Sequence, residues 1–131
     1  MNQKQPTATQ PRCTLRRPQR LRTRTDFNSV YNYRLSAADN RLVVYALPNN
    51  LPHSRLGLSV GKRLGSAVTR NRYKRALRQA FRLQQHLLPP TYDYVLIPRL
   101  LGPCSADLYA QSLRHLARKL HRRQLQRDKK K

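Results

Sequence analysis

The residues between Arg70 and Arg82 have the composition of a surface that binds phosphate. The segment reads RNRYKRALRQAFR and holds six of the 28 lysines and arginines in the 131-residue chain. At about 100° per residue, five of these cations fall on one side of a helix, and the apolar side chains fall on the other. Guanidinium groups held at helical spacing suit contacts with a nucleic-acid backbone.

The charge balance favours this interpretation over an ordinary solvated helix. The chain has a formal net charge of +23, with five aspartates and no glutamate. A solvated surface normally mixes both signs of charge, which this chain does not. The composition therefore predicts a polyanionic partner, and the 38% hydrophobic content predicts one modest core.

The domain organisation follows from proline content and apolar periodicity. Residues 1–19 are predicted to be a flexible basic arm, residues 20–123 the domain, and residues 124–131 a basic tail. The chain has no apolar run long enough for a membrane span, and its start lacks the apolar stretch of a secretory signal. We expect a cytoplasmic protein that does not contact a membrane.

The remaining segments predict the elements that position the basic helix. Capping residues and periodicity indicate a short first helix capped by Thr25 and a last helix capped by Ser105, and Ser66 opens the basic helix. Alternation and β-branched content indicate strands over residues 41–47, from residue 55 towards residue 63, and over residues 92–97. The order α-β-β-α-β-α describes a small α+β sandwich, with helices on one sheet face and the other face open.

The same residues predict neither a catalytic residue nor a metal site. Cys13 and Cys104 have no histidine or cysteine at metal-ligand spacing, so both are expected to be free thiols. A metal-dependent nuclease needs clustered carboxylates, whereas the five aspartates are spread over different elements. A metal-free nuclease needs a histidine paired with a second histidine or a carboxylate, and no such pair is apparent.

The run from Arg55 to Leu83 (RLGLSVGKRLGSAVTRNRYKRALRQAFRL) resembles the signature of the bacterial ribonuclease P protein subunit. The resemblance begins at Arg20 and extends to Tyr94. It implies an α-β-β-β-α-β-α sandwich with a left-handed βαβ crossover, like domain 2 of ribosomal protein S5. That fold has one short strand more than the residue pattern predicts. The family's RNR motif corresponds to Arg70, Asn71 and Arg72.

The resemblance also implies a function. A protein of this family joins a catalytic RNA to form the endonuclease that removes 5′ leaders from precursor transfer RNA. The RNA performs the chemistry with Mg²⁺, so the chain counts as an enzyme only as part of the holoenzyme. The implied partners are the catalytic RNA and the leader, and no obligate protein partner is expected.

Two sets of site residues follow from the resemblance. The RNA-binding surface comprises Lys62, Arg63, Arg70, Asn71, Arg72, Lys74, Arg75 and Arg78. The cleft that holds the single-stranded leader comprises Phe27, Tyr31 and Tyr45, on which bases would stack. Three positions depart from the family pattern: Arg34 stands where many relatives have glycine, Gly61 replaces serine, and Gln79 replaces glutamate.

Three other classes of protein share part of this pattern. A ribosomal or RNA-chaperone protein would have the charge and the tails but would not need the RNR spacing or an aromatic cleft. A DNA-binding regulator could insert a basic helix into a major groove, but it usually pairs that helix with a second one that crosses the backbone. A stand-alone nuclease would need the carboxylates that are missing here.

Overall fold

The computed structural model describes residues 19–99 and 104–130 of the chain. Most of the predicted arm, including Cys13, lies outside these residues. The elements in chain order are α1 (Arg24–Tyr33), β1 (Ser36–Ala38), β2 (Leu42–Pro48), β3 (Arg55–Leu58), α2 (Ala67–Gln84), β4 (Tyr92–Pro98) and α3 (Ala106–Lys129). Two 3₁₀ turns, Lys62–Leu64 and Gln85–Leu87, flank α2.

The four strands form one mixed sheet in the order β1-β2-β4-β3. The pairs β1–β2 and β2–β4 are antiparallel, and β3–β4 is parallel. The parallel pair is joined through α2, as the βαβ unit requires. The α+β fold class is confirmed, while the left-handed sense of the crossover stays a prediction.

Strand β1 is the short strand that the residue pattern missed and the resemblance implied. It has three residues, Ser36–Ala38, which is too short for an alternating pattern to be visible in the sequence. Its stability comes from pairing with β2, where Ala37 lies opposite Val44. Pairing between two strands is a long-range interaction, so the local pattern of residues in β1 does not predict it.

Helices α2 and α3 cover one sheet face, and α1 lies on the other. The larger core lies under α2 and α3 and contains Leu77 and Phe81 from α2 and Leu113 and Leu116 from α3. A smaller core under α1 is built around Val30 and Val95. The second face is therefore partly covered by α1 and is not fully open as the residue pattern predicted.

Two boundaries differ from the predicted ones. Helix α1 is capped by Thr23, whose Oγ1 accepts a hydrogen bond from the backbone N–H of Asp26 at 3.0 Å, so the predicted cap at Thr25 is wrong. Thr25 lies inside the helix, where its carbonyl accepts a hydrogen bond from Ser29 Oγ. Strand β3 ends at Leu58, before the 3₁₀ turn, and does not continue towards residue 63. The caps at Ser66 and Ser105 are confirmed.

The C-terminal part of α3 packs on the end of α1. Gln124 is only 6% exposed and its Oε1 accepts a hydrogen bond from Tyr33 Oη at 2.7 Å. Arg127 donates to the carbonyls of Tyr33 at 3.2 Å and Arg34 at 2.8 Å, and its guanidinium lies 5.1 Å from the centre of the Tyr33 ring. The segment predicted as a tail is thus helical as far as Lys129 and helps to hold α1 in place.

Candidate nucleic-acid interface

A tight turn sets the start of the basic helix. Gly65 has φ = 130°, a conformation that L-residues rarely adopt, and it connects the 3₁₀ turn to the N-cap residue Ser66. Ser66 Oγ accepts a hydrogen bond from the N–H of Thr69 at 3.3 Å. The turn leaves Lys62 and Arg63 exposed immediately before the N-terminus of α2, where they extend its positive charge.

Helix α2 presents the predicted basic face to solvent. Leu77 and Phe81, on its apolar side, are fully buried against the sheet. Asn71, Arg72, Arg75 and Arg78 are exposed, and Arg70 and Lys74 are half-buried. In the described part of the chain, no carboxylate forms an ion pair with Arg72, Lys74, Arg75 or Arg78. These charges are therefore free to bind a polyanion.

The departure at Gln79 affects this face only slightly. Arg82, one turn further along the helix, donates a hydrogen bond to Gln79 Oε1. Glutamate at this position would form an ion pair at the same spacing and would remove part of the positive charge. Glutamine keeps the contact and adds no negative charge to the surface.

The three predicted cleft residues form a continuous row of rings. Phe27 and Tyr31 lie on α1 with ring centres 6.5 Å apart, and Tyr31 meets Tyr45 of β2 edge to face at 5.0 Å. All three are half-buried. The row packs against the smaller core and keeps part of each ring accessible, so it can serve both as core and as a stacking platform.

A groove at the edge of β3 joins the aromatic row to the basic helix. Its volume is about 250 Å³, and it brings the ring of Phe27 together with Lys74 and Arg78 from α2. The rest of its lining is Arg20, Leu21, Arg22, Leu56 and Leu58. Arg20 and Arg22 were not among the predicted site residues. Their only signal in the sequence was that the family resemblance begins there.

The segment that carries these two arginines is held on the sheet edge. Arg20 forms a parallel bridge with Leu56, and the N–H of Leu21 donates to the Leu56 carbonyl at 2.8 Å. The segment thereby covers part of the exposed edge of β3. It also fixes Arg20 and Arg22 beside the groove, where their charges add to those of α2.

Asp93, on the sheet face under α1, is a buried carboxylate whose negative charge is balanced by Arg55. Asp93 is 3% exposed, and Arg55 binds both of its oxygens, with Nε–Oδ1 at 2.8 Å and Nη2–Oδ2 at 2.7 Å. Asn49 Nδ2 donates to Oδ1 at 2.7 Å. Hydrogen bonding to Asp93 raises the pKa of the Arg55 guanidinium. This bidentate pair prevents an uncompensated negative charge from repelling a polyanion.

Three of the other aspartates have local structural roles. Asp26 and Asp107 lie in the first turns of α1 and α3, where the helix dipole favours a negative charge. Asp39 accepts hydrogen bonds from the backbone N–H groups of Arg41 and Leu42, both at 2.9 Å. Within residues 19–99 and 104–130, no three histidine, cysteine or acidic side chains lie close enough together to hold a metal ion.

Two further features of the described residues are the Cys104 thiol and the hydropathy of the helices. Cys104 is a free, half-buried cysteine, and burial raises the pKa of its thiol. A thiol with a raised pKa is a poor nucleophile at neutral pH. In the described ranges, no helix is both long and apolar enough to cross a membrane.

The fold and the site together define a small, strongly basic α+β protein that offers a cationic helix and an aromatic cleft to a nucleic acid. The family model described as Ribonuclease P matches residues 15–121. The chain therefore belongs to the ribonuclease P protein family, and its role is that of the protein subunit of ribonuclease P.

Individual relatives agree with this assignment. The ribonuclease P protein component of Exiguobacterium sibiricum is 38% identical over 104 residues, covering 78% of this chain and 90% of the relative. That of Streptococcus thermophilus is 45% identical over 85 residues, covering 65% of this chain and 76% of the relative. The ribosomal or RNA-chaperone alternative is not favoured by these matches.

Solved structures of the family share the fold. The RNase P protein from Thermotoga maritima aligns with a TM-score of 0.67 and 30% identity, covering 76% of this chain and 96% of that protein. The RNase P protein of Staphylococcus aureus aligns with a TM-score of 0.65 and 34% identity, covering 75% and 91%. The family resemblance and the fold class predicted from the sequence are confirmed. The roles of the individual site residues stay predictions.

Proposed function

We propose that this subunit binds the single-stranded 5′ leader of precursor transfer RNA in the cleft of Phe27, Tyr31 and Tyr45, while the catalytic RNA performs the cleavage. The observation that supports this most directly is the groove shared by Phe27, Lys74 and Arg78. It makes the aromatic row and the basic helix one continuous surface. A single strand needs both stacking rings and a basic path along its backbone.

The contacts along this path have distinct roles. Bases stack on the accessible parts of the three rings, each worth about 1–3 kcal/mol with little sequence preference. Lys74 and Arg78 neutralise leader phosphates where the strand leaves the cleft. Lys62 and Arg63, with the α2 residues Arg70, Asn71, Arg72 and Arg75, contact the catalytic RNA and the adjoining part of the substrate.

The chain contributes no catalytic group in this proposal. Within the described residues, no group of three histidine, cysteine or acidic side chains could hold a metal ion, so the residues present do not fit a Mg²⁺ site. The Mg²⁺ of the holoenzyme would be held by RNA. By neutralising phosphates, the subunit favours the folded RNA and reduces the Mg²⁺ concentration that the holoenzyme needs.

The leader role is tested with Phe27→Ala in the reconstituted holoenzyme. We expect the affinity for leader-bearing precursor to fall by about 5- to 150-fold, the loss of one stacking contact, and the affinity for mature transfer RNA to stay unchanged. Leu87→Ala, at an apolar residue 62% exposed outside the cleft, is the matched control. Equal weakening of both substrates would mean that the Phe27 ring is only part of the core.

The division of labour is tested by cleavage of a leader-bearing precursor at low Mg²⁺. Catalytic RNA alone, protein alone and the two together are compared. We expect efficient cleavage only from the mixture. Product from protein alone that survives nuclease treatment of copurified RNA would place the active site in the protein and contradict the proposal.

A further inference from the structure

The solvent face of α3 carries a second basic surface, which the proposed function does not use. Arg114, Arg118 and Arg122 follow one another at intervals of four residues, so they lie on one side of the helix, about 6 Å apart along its axis. With Gln111 and His115 they line a shallow depression of about 380 Å³. We name these five residues the α3 basic face.

The cations of the α3 basic face have no partner inside the domain. Arg118 and Arg122 are exposed and Arg114 is half-buried. None of the three forms a hydrogen bond or an ion pair with another residue in the described ranges. The acidic residues of α3, Asp107 and Asp128, lie at its two ends. Three unpaired guanidinium groups in a row attract an anion rather than stabilise the fold.

Helices α2 and α3 lie on the same side of the sheet. Both helices bury their apolar sides against one sheet face, and they pack against each other, with Gln84 Nε2 donating to the Ala110 carbonyl at 2.6 Å. Lys74 and Arg78 of α2 also reach the groove at the edge of β3, whereas no residue of the α3 basic face lines that groove. The aromatic row, which packs with α1 in the smaller core, lies on the opposite side of the sheet.

The chemistry of the α3 basic face differs from that of the cleft. It contains arginine, histidine and glutamine but no phenylalanine, tyrosine or tryptophan ring. Single-strand binding relies on such rings, whereas double-helical RNA is recognised through phosphates and 2′-hydroxyl groups by cations and hydrogen-bond donors. Arginine, with its planar fork of donors, suits a phosphate backbone.

We propose that the α3 basic face binds the backbone of double-helical RNA, as a site separate from the one for the leader. The proposal rests on the proposed function, because the double-helical RNA would belong to the catalytic RNA named there. The α3 basic face would give the helices of that RNA a contact surface beside α2. The subunit then holds single-stranded RNA in the groove between Phe27 and α2, and duplex RNA on α3.

The test measures binding of the full chain to two probes, a short blunt-ended RNA duplex and a single-stranded RNA oligonucleotide of mixed sequence. The variant Arg114→Gln/Arg118→Gln removes two charges from the face and keeps side chains of similar polarity. The control Arg41→Gln/Arg99→Gln removes two arginine charges that flank β2 and β4 and do not belong to the α3 basic face. Far-ultraviolet circular dichroism confirms that each variant is folded.

We expect the α3 variant to bind the duplex about tenfold more weakly than the control does, with a log–log salt slope smaller by about one to two units. Its affinity for the single strand should match that of the control. Duplex binding equal to the control would overturn the proposal. Equal losses for both probes would also overturn it, because the face would then act only through the general electrostatic field.

Phe27→Ala, measured with the same probes, separates this proposal from the leader role. A selective loss of single-strand binding in Phe27→Ala supports the leader cleft whatever the α3 variant does. A selective loss of duplex binding in the α3 variant supports the α3 basic face even where Phe27→Ala has no effect. The two proposals therefore fail independently.

Discussion

The ring of Phe27 lies directly on the backbone of Gly57. A Cβ atom at residue 57 would come within 2.8 Å of Phe27 Cζ and within 3.0 Å of Leu21 Cδ1. Gly57 is in β3, where glycine weakens a strand and marks a close approach of another group. The position of the ring in the lining of the groove thus depends on the absence of a side chain at residue 57.

Gly57→Ala should displace Phe27 and weaken binding of single-stranded RNA. The added methyl group overlaps the ring, and overpacking of this kind costs about 1–3 kcal/mol of stability. The displaced ring loses its alignment with Lys74 and Arg78, so the affinity should fall together with stability. Urea unfolding and titration with a single-stranded RNA oligonucleotide measure the two effects.

Gly61→Ala is the matched control for this substitution. No atom lies within 4 Å of a Cβ at Gly61, and its φ of −80° suits any residue. Serine, the usual residue of relatives at this position, should be equally well tolerated. If the Gly57→Ala protein binds single-stranded RNA as tightly as the Gly61→Ala protein does, the position of the Phe27 ring is unimportant for RNA binding.

Arg34→Gly should stabilise the protein by about 0.5–1 kcal/mol. Arg34 ends α1 in the left-handed conformation, with φ = 61° and ψ = 38°, which is unfavourable for a residue with a side chain. Glycine adopts this conformation without strain. The Arg34 carbonyl that accepts from Arg127 is retained in the variant. A thermal midpoint equal to or below that of the wild type would contradict the expectation.

Binding of the leader should depend steeply on salt. If about six phosphates are neutralised on single-stranded RNA, the plot of log K against log salt concentration should have a slope near −4. Arg78→Ala should make this slope smaller by somewhat less than one unit, because one phosphate contact is lost. A loss of stability without a change of slope would show that Arg78 does not contact phosphate.

The stability of the protein should fall between about pH 10 and pH 12, partly because of Tyr92. Burial, followed by the nearby charge of Asp128, raises the pKa of Tyr92 to about 12, and its hydroxyl lies 2.8 Å from His121 Nδ1. An unfolded tyrosine has a pKa of about 10, so above that pH the unfolded state loses a proton that the folded state keeps.

This contribution of Tyr92 to stability is complete below about pH 10 and is lost as the pH rises through the pKa of the folded state. Tyr92→Phe has no proton to lose, so its urea midpoint should fall less steeply over this range. Part of the decline in stability should remain in Tyr92→Phe, because burial also raises the pKa values of Tyr94 and Tyr109. Identical declines in variant and wild type would contradict the assignment.

The sequence by itself determined the features that depend on near neighbours in the chain. The caps at Ser66 and Ser105 and the separation of charged from apolar residues in α2 are set within one or two helical turns. The excess of cations and the family signature are likewise readable without a fold. These features were sufficient to predict an RNA-binding subunit of ribonuclease P.

The tertiary structure alone decided the features that depend on distant residues. Strand β1 exists because β2 pairs with it, and the end of α3 is ordered by the contacts of Arg127 with α1. The groove joins Phe27 to Lys74, which are 47 positions apart, and the two helices that carry the basic surfaces pack together on one side of the sheet. Periodicity reports which side of an element is apolar, but long-range packing decides which elements share a face.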